Sequence, residues 1–131
     1  MEKDNIVKTE KDTKEKKLVL IPKAERYIEY MIDLILKLPR TEKFNIGNEY
    51  KKVMYEMLEY ILFLSKLNNK ECLYYINKID ALLNIQRILL RIMYKKQYID
   101  KHRFDVSIEM IAEIGRIVGG LLKYYGKMVK K

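Results

Sequence analysis

Apolar residues recur at three- and four-residue spacing through four long segments, and this is the period of an α-helix with one apolar face. The segments run from Ala24 to Leu38, from Thr41 to about Leu67, from Asn68 to about Tyr98, and from Asp100 to about Gly126. No alternating apolar–polar run indicates a strand. Four helices joined by short connections predict an all-α, antiparallel up-and-down four-helix bundle.

Capping residues mark the predicted helix ends. Pro39 ends the first helix, because a proline disfavours helical geometry at the residue before it. Thr41 is the predicted cap of the second helix. Asn68, followed three residues later by Glu71, resembles a capping box and opens the third helix, and Asp100 caps the fourth.

The N-terminal segment differs in composition from the rest of the chain. Its first 17 residues carry six lysines and five acidic residues, and apart from Met1 only Ile6 and Val7 are apolar. Such a composition buries too little apolar surface to offset the entropy of ordering. Residues 1–21 are therefore predicted as a flexible charged tail, and residues 22–131, beginning with Pro22, as the bundle domain.

The chain is strongly basic. It has 27 Lys and Arg against 18 Asp and Glu, a formal net charge of +9. The first 17 residues account for only +1, so the predicted bundle carries most of the excess. This charge favours polyanionic partners such as RNA, DNA or anionic lipid.

The third segment has a narrow polar stripe and more apolar surface than one bundle core needs. The polar residues that fall within roughly 80° of one another on the helix are Asn77, Asp80, Asn84, Arg87, Arg91 and Lys95. Most of the remaining circumference is apolar. The surplus predicts a subunit interface, and therefore a homo-oligomer.

Three glycines interrupt the fourth segment, at Gly115, Gly119 and Gly120. A glycine inside a helix costs roughly 1 kcal/mol relative to alanine. Their presence predicts a place where another backbone or side chain approaches closely.

The sequence lacks the usual signs of catalysis. His102 is the single histidine, so no zinc or transition-metal ligand set is predicted. Cys72 is the single cysteine and lies among apolar residues, as a buried hydrophobe would. There is no phosphate-binding glycine loop of the Walker or dinucleotide type. We therefore predict a protein that is not an enzyme and needs no cofactor.

Targeting signals are also missing from the sequence. The N-terminus lacks the apolar core of a secretory signal, and no stretch approaches the ~18 apolar residues of a membrane-spanning helix. A lone cysteine fits a reducing compartment. These features predict a soluble, cytoplasmic protein that does not span a membrane.

Three sequence stretches carry a family resemblance. They are Leu38-Pro39-Arg40-Thr41-Glu42-Lys43-Phe44-Asn45-Ile46-Gly47, Ile88-Leu89-Leu90-Arg91, and Glu113-Ile114-Gly115-Arg116-Ile117-Val118-Gly119-Gly120. They resemble the second, third and fourth helices of a family of bacterial four-helix-bundle proteins. The family has two branches: the accessory variability determinant proteins (Avd) of diversity-generating retroelements, and proteins encoded in ribosomal-RNA intervening sequences. The pairing of the first and last stretches is more similar to Avd.

The resemblance to Avd implies a homopentameric ring with a basic surface that binds nucleic acid and the retroelement reverse transcriptase. The implied role is that of a non-catalytic accessory protein in mutagenic reverse transcription. An intervening-sequence scaffold that recognises an acidic protein is the alternative. An amphipathic binder of membrane surfaces is a second alternative, since the wide apolar faces permit it.

Basic residues are the candidate contacts to RNA or DNA, because phosphate contacts give affinity with little sequence preference. Arg87, Arg91 and Lys95 come first, since residues four apart share a helix face. Tyr94 and Tyr98, which border several cations, are candidates for stacking on an unpaired base. The next candidates are Arg40, Lys43, Lys101, Arg103 and Arg116, and for Arg116 a structural helix contact is an equal interpretation.

Overall fold

The computed structural model describes residues 2–130, with side chains from Glu10 to Lys130. Its long helices are α1 (Glu2–Leu36), α3 (Ile46–Phe63), α4 (Asn69–Lys95) and α5 (Lys101–Val129). A one-turn helix, α2 (Arg40–Lys43), follows α1, and a 3₁₀ turn (Leu64–Lys66) follows α3. No strand occurs within residues 2–130. The prediction of an all-helical four-helix bundle is confirmed.

Each long helix packs against the two helices that flank it. Helix α1 contacts α3 and α5, and α4 contacts the same two helices. The C-terminal ends of α1 and α4 therefore lie at the same end of the bundle as the N-terminal ends of α3 and α5. We call this the α2 end. The other end holds the 3₁₀ turn.

The core consists of one apolar stripe from each long helix. Burying such stripes is the main favourable term in folding, at roughly 25 cal/mol per Å² of apolar surface. The fully buried side chains include Leu20, Ala24, Met31, Met54, Met57, Ile76, Ile79, Leu83, Leu90, Met93, Ile111, Ile114, Val118 and Leu121.

Two predicted caps are confirmed. The Asn68 side chain accepts a hydrogen bond from the Glu71 backbone N–H at 2.9 Å, and Asp100 accepts one from Arg103 N–H at 2.8 Å. Each bond satisfies one N–H group that the first helical turn leaves without a partner. The predicted starts of α4 and α5 are therefore correct to within one residue.

The predicted second helix is wrong at its start. Thr41 caps nothing, because α2 begins at Arg40 with Pro39 before it. The chain then breaks at Asn45, whose φ of −103° and ψ of −93° are not helical. Gly47 explains the sharp corner: a Cβ there would lie 3.0 Å from Ile35 Cγ2 and 3.3 Å from the Glu42 carbonyl oxygen. A side chain at this position would require these neighbours to shift, so glycine favours the close approach of α3 to α1.

The predicted boundary at residue 21 does not separate two structural elements. Helix α1 runs without interruption from Glu2, and Pro22 lies inside it. Proline removes one backbone hydrogen bond and crowds the preceding turn. Leu20 and Ala24 on either side of it are completely buried, so core packing holds the helix on both sides.

The partner of this unexpected helical segment is the C-terminal half of α5, which reaches Val129 and not Gly126 as predicted. Lys16 lies across Gly120, and Lys17 Nζ is 5.0 Å from the centre of the Tyr125 ring. Thr13 is buried. Sequence periodicity missed this segment because its lysine stems, and not branched apolar side chains, cover the α5 surface.

A polar network joins three helices in the middle of the core. The Tyr27 hydroxyl donates to Gln86 Oε1 at 2.7 Å and also pairs with the Tyr50 hydroxyl. Gln86 Nε2 donates to the Leu82 carbonyl at 3.1 Å and to Met57 Sδ at 3.3 Å. Burial raises the pKa of both tyrosines, so both stay protonated. The network sets the register of α1, α3 and α4.

Removing one member of this network should destabilise the bundle. We expect Tyr27→Phe to lower the free energy of unfolding by about 1–3 kcal/mol, because buried partners lose their hydrogen bonds. Urea denaturation followed by circular dichroism measures the change. Tyr124→Phe, at a half-buried tyrosine outside the network, is the control and should have little effect. Equal effects in the two variants would contradict a special role for the network.

Candidate nucleic-acid interface

The three first-choice cations lie on the C-terminal half of α4, towards the α2 end. We call Arg87, Arg91 and Lys95 the α4 stripe. Arg91 and Lys95 are exposed, whereas Arg87 is half-buried. The sequence prediction that these residues share one helix face is consistent with their four-residue spacing within an unbroken helix.

Arg87 has contacts inside the chain that distinguish it from Arg91 and Lys95. Its Nη1 donates to Asn84 Oδ1 at 2.6 Å. Its Nη2 lies only 2.5 Å from the position that a Cβ at Gly115 would occupy. The guanidinium group therefore rests on the bare backbone of α5 and links the two helices.

The glycine prediction is confirmed at two of its three positions. Arg87 approaches Gly115, and Lys16 approaches Gly120, with Nζ at 2.7 Å from the position of a built Cβ. Within the described part of the chain, nothing lies within 4 Å of such a Cβ at Gly119. Gly119 is therefore open towards solvent.

The second-choice residues are spread over the bundle, and most lie at the α2 end. Arg40 and Lys43 belong to α2, whereas Lys101 and Arg103 lie in the first turn of α5. Of these, Arg40 and Lys101 are exposed, and Lys43 and Arg103 are half-buried. The topology therefore brings these four cations to the end of the bundle at which the α4 stripe finishes.

Arg116 lies beyond this group, near the middle of α5. It is exposed and pairs with Glu109, Nη2 to Oε1 at 3.3 Å. A pair this exposed contributes little to stability. Glu109 lies on the same helix as Arg116. This pair therefore does not support the interpretation of Arg116 as a structural contact between helices.

Tyr94 stacks on Phe104, with ring centres 4.6 Å apart and an angle of 17° between the rings. One ring face is therefore occupied, and Tyr98 is half-buried. Only the second face of Tyr94 is left for a base, and Tyr98 is partly accessible.

Few acidic groups neutralise the cations. Among residues 10–130 the structure contains two side-chain ion pairs, Lys23 with Glu113 and Arg116 with Glu109. The ammonium group of Lys23 lies 3.0 Å from Glu113 and lowers the pKa of that carboxyl. No such partner faces Arg91 or Lys95 in the described chain. Their charges remain available to an anionic ligand.

Three further cations lie on the outer side of α5 and were missed by the sequence analysis: Lys123, Lys127 and Lys130. All three are exposed. The signal for them was present in the sequence, because no acidic residue occurs from Ile114 to Lys131. Net charge per segment, and not periodicity, would have found them.

A reactive cysteine, a metal site and a ligand pocket each have little support in the described part of the chain. Cys72 is buried, and its Sγ donates to the Leu64 carbonyl at 3.3 Å. Within the described residues, no group of three or more His, Cys, Asp or Glu side chains could hold a metal ion. A small crevice between α1 and α5 is lined by Lys23, Arg26, Tyr27, Met110 and Glu113. The Lys23–Glu113 pair neutralises two of the charges in this crevice, and Arg26 adds one further cation.

The length and apolar character of the helices also determine whether one of them could span a membrane. Across the described part of the chain, no helix combines the length and the apolar character that crossing a bilayer requires.

The fold and its surface define a basic, all-helical four-helix bundle. A model of the bAvd-like family matches residues 18–125 of the chain. This match covers most of the sequence, and the chain belongs to the bAvd-like family. The search among curated proteins found no match. The match begins at Leu18, so most of the N-terminal part of α1 lies outside it.

Proposed function

We propose that this chain is a non-catalytic accessory protein of a diversity-generating retroelement. It binds RNA or DNA through its basic surface and associates with the reverse transcriptase during mutagenic reverse transcription. Family membership supports the role. The observation that supports the binding is that Arg91 and Lys95 are exposed on one face of α4 and have no acidic partner in the described chain.

The proposed mode of binding is electrostatic. Lys and Arg that neutralise phosphates release condensed counterions, and this gives affinity for any sequence. From Ala81 to Ile99 the chain has no acidic residue, so the α4 stripe lies in an uninterrupted positive segment. The bundle would thus hold nucleic acid without reading bases, and sequence choice would come from the other components of the complex.

The charge-reversed variant Arg91→Glu/Lys95→Glu should weaken binding to unrelated oligonucleotides alike. Each phosphate contact that is lost should flatten the slope of log affinity against log salt by about 0.9 on duplex DNA, or about 0.7 on single strands. Fluorescence anisotropy at several salt concentrations measures both quantities. We leave Arg87 unchanged in this test because its contact with Gly115 is structural.

The control carries the same change of charge at two exposed lysines outside α4 and α5, Lys37→Glu/Lys52→Glu. It should bind nearly as well as the parent. A parent that binds no nucleic acid at low salt would contradict the proposal. Co-purification with the retroelement reverse transcriptase tests the other half of it, and a parent that fails to co-purify would contradict that half.

We also propose that the chain works as a homo-oligomer, with five copies as the family resemblance implies. Three isoleucines on the outer face of α4 support this: Ile85, Ile88 and Ile92 are 43%, 53% and 39% exposed. They lie on one side of α4 and form an apolar strip that the bundle leaves uncovered. An exposed apolar patch of this kind is typical of an association surface.

Placing a charge in this strip should separate the subunits. Light scattering of the parent should give about five times the 15.8 kDa chain mass. Ile88→Glu should shift the mass towards that of the monomer, because a carboxylate cannot be buried there without a partner. Leu18→Glu, at a leucine of α1 that is 70% exposed, is the control and should leave the mass unchanged. A monomeric parent would contradict the proposal.

A further inference from the structure

The outer face of α5 changes sign along its length. Its first half carries Asp105, Glu109 and Glu113, whereas its second half carries Arg116, Lys123, Lys127 and Lys130. We call these four cations the α5 row. At 3.6 residues per turn they fall within about 60° of one another and extend over roughly 21 Å. All four are exposed.

The α5 row has almost no counter-charge. Its one ion pair in the described chain is that of Arg116 with Glu109, at the edge of the acidic half. Open backbone lies beside the row, since nothing in the described chain is within 4 Å of a Cβ built at Gly119 or Gly126. A long anionic chain could therefore approach this face closely.

The α4 stripe and the α5 row meet where Arg87 rests on Gly115. The two helices are antiparallel, so the stripe lies on the α2 side of this contact and the row lies on the opposite side. Arg116 follows Gly115 directly, so the row begins one residue after the position on α5 that Arg87 contacts. The first half of α5 is acidic and would repel an anionic chain, so such a chain could not continue along α5 towards the α2 end.

We propose that the stripe and the row form one cationic track, which crosses from α4 to α5 at Arg87 and Gly115 and binds a single sugar–phosphate backbone along its length. This inference rests on the proposed binding of nucleic acid and extends it to three lysines that the family resemblance does not single out: Lys123, Lys127 and Lys130. Its occupant is defined by regularly spaced phosphates, as in a single strand or one strand of a duplex.

The test compares charge reversal at the two ends of the track, with the full chain and fluorescently labelled oligonucleotides of unrelated sequence, both single-stranded and duplex. Lys123→Glu/Lys127→Glu should lower affinity roughly tenfold at low salt and flatten the salt slope by about 1.8 on duplex DNA, or about 1.4 on single strands, as two lost phosphate contacts require. The control is again Lys37→Glu/Lys52→Glu, which should bind as the parent does.

A second pair of variants inserts a charge without removing a cation. Gly119→Glu and Gly119→Gln have similar size, and both replace glycine by a better helix former at an open position, so both should fold. Gly119→Glu, which places a carboxylate beside Arg116 and Lys123, should bind several-fold more weakly than Gly119→Gln. Equal affinities in this pair would contradict the track.

The outcomes separate this inference from the proposed function. If the parent binds and Arg91→Glu/Lys95→Glu weakens binding while Lys123→Glu/Lys127→Glu does not, the track is wrong and the function stands. If Lys123→Glu/Lys127→Glu changes the mass measured by light scattering, the row is a subunit contact and the track is again wrong. A parent that binds nothing contradicts both.

Discussion

The apolar stripe of α5 is the constraint on which the rest of the bundle depends. Ile111, Ile114, Val118 and Leu121 are fully buried, and Tyr125 is nearly so. A stripe this long needs cover over its full length, which α4 provides on one side and α1 on the other. This explains why α1 continues through Pro22 towards the N-terminus, where lysines 16 and 17 cover the last turns of α5.

The same packing determines which charges remain available. Among residues 10–130 the helices bury their apolar stripes with two side-chain ion pairs, so most cations in this part of the chain form no ion pair. Two cations pack against glycines of α5: Arg87 lies against Gly115, and Lys16 lies against Gly120. The glycines of α5 thus serve two purposes: some admit a neighbouring side chain, and Gly119 and Gly126 leave backbone open at the surface.

Helical periodicity predicted the fold because each core stripe repeats over several turns, and the caps at Asn68 and Asp100 could be read from local sequence. The corner before α3 could not be predicted from local sequence. It depends on the contact of Gly47 with Ile35, two residues that lie in different helices but close together in space. The N-terminal part of α1 was missed because its order comes from tertiary contacts with α5 and not from its own composition.

The candidate interface was predicted in part, for a similar reason. A helical wheel of one segment finds Arg87, Arg91 and Lys95, but it cannot show that Arg87 donates to Asn84 and rests on Gly115 of the neighbouring helix. Nor can it show that the cations of α5 begin where those of α4 end, because that depends on how two antiparallel helices align. The resemblance to Avd identified the family, and the alignment of α4 with α5 supports the proposed path along the surface.

Lysine footprinting of the unmodified protein tests the central claim most directly. Lysines are acylated with and without bound nucleic acid, and the modified sites are quantified by mass spectrometry. We expect bound nucleic acid to protect Lys95, Lys123 and Lys127 from acylation, while Lys37 and Lys52 react as they do in the free protein. Protection that is uniform over the surface, or that is absent from Lys95, Lys123 and Lys127 when nucleic acid is bound, would contradict it.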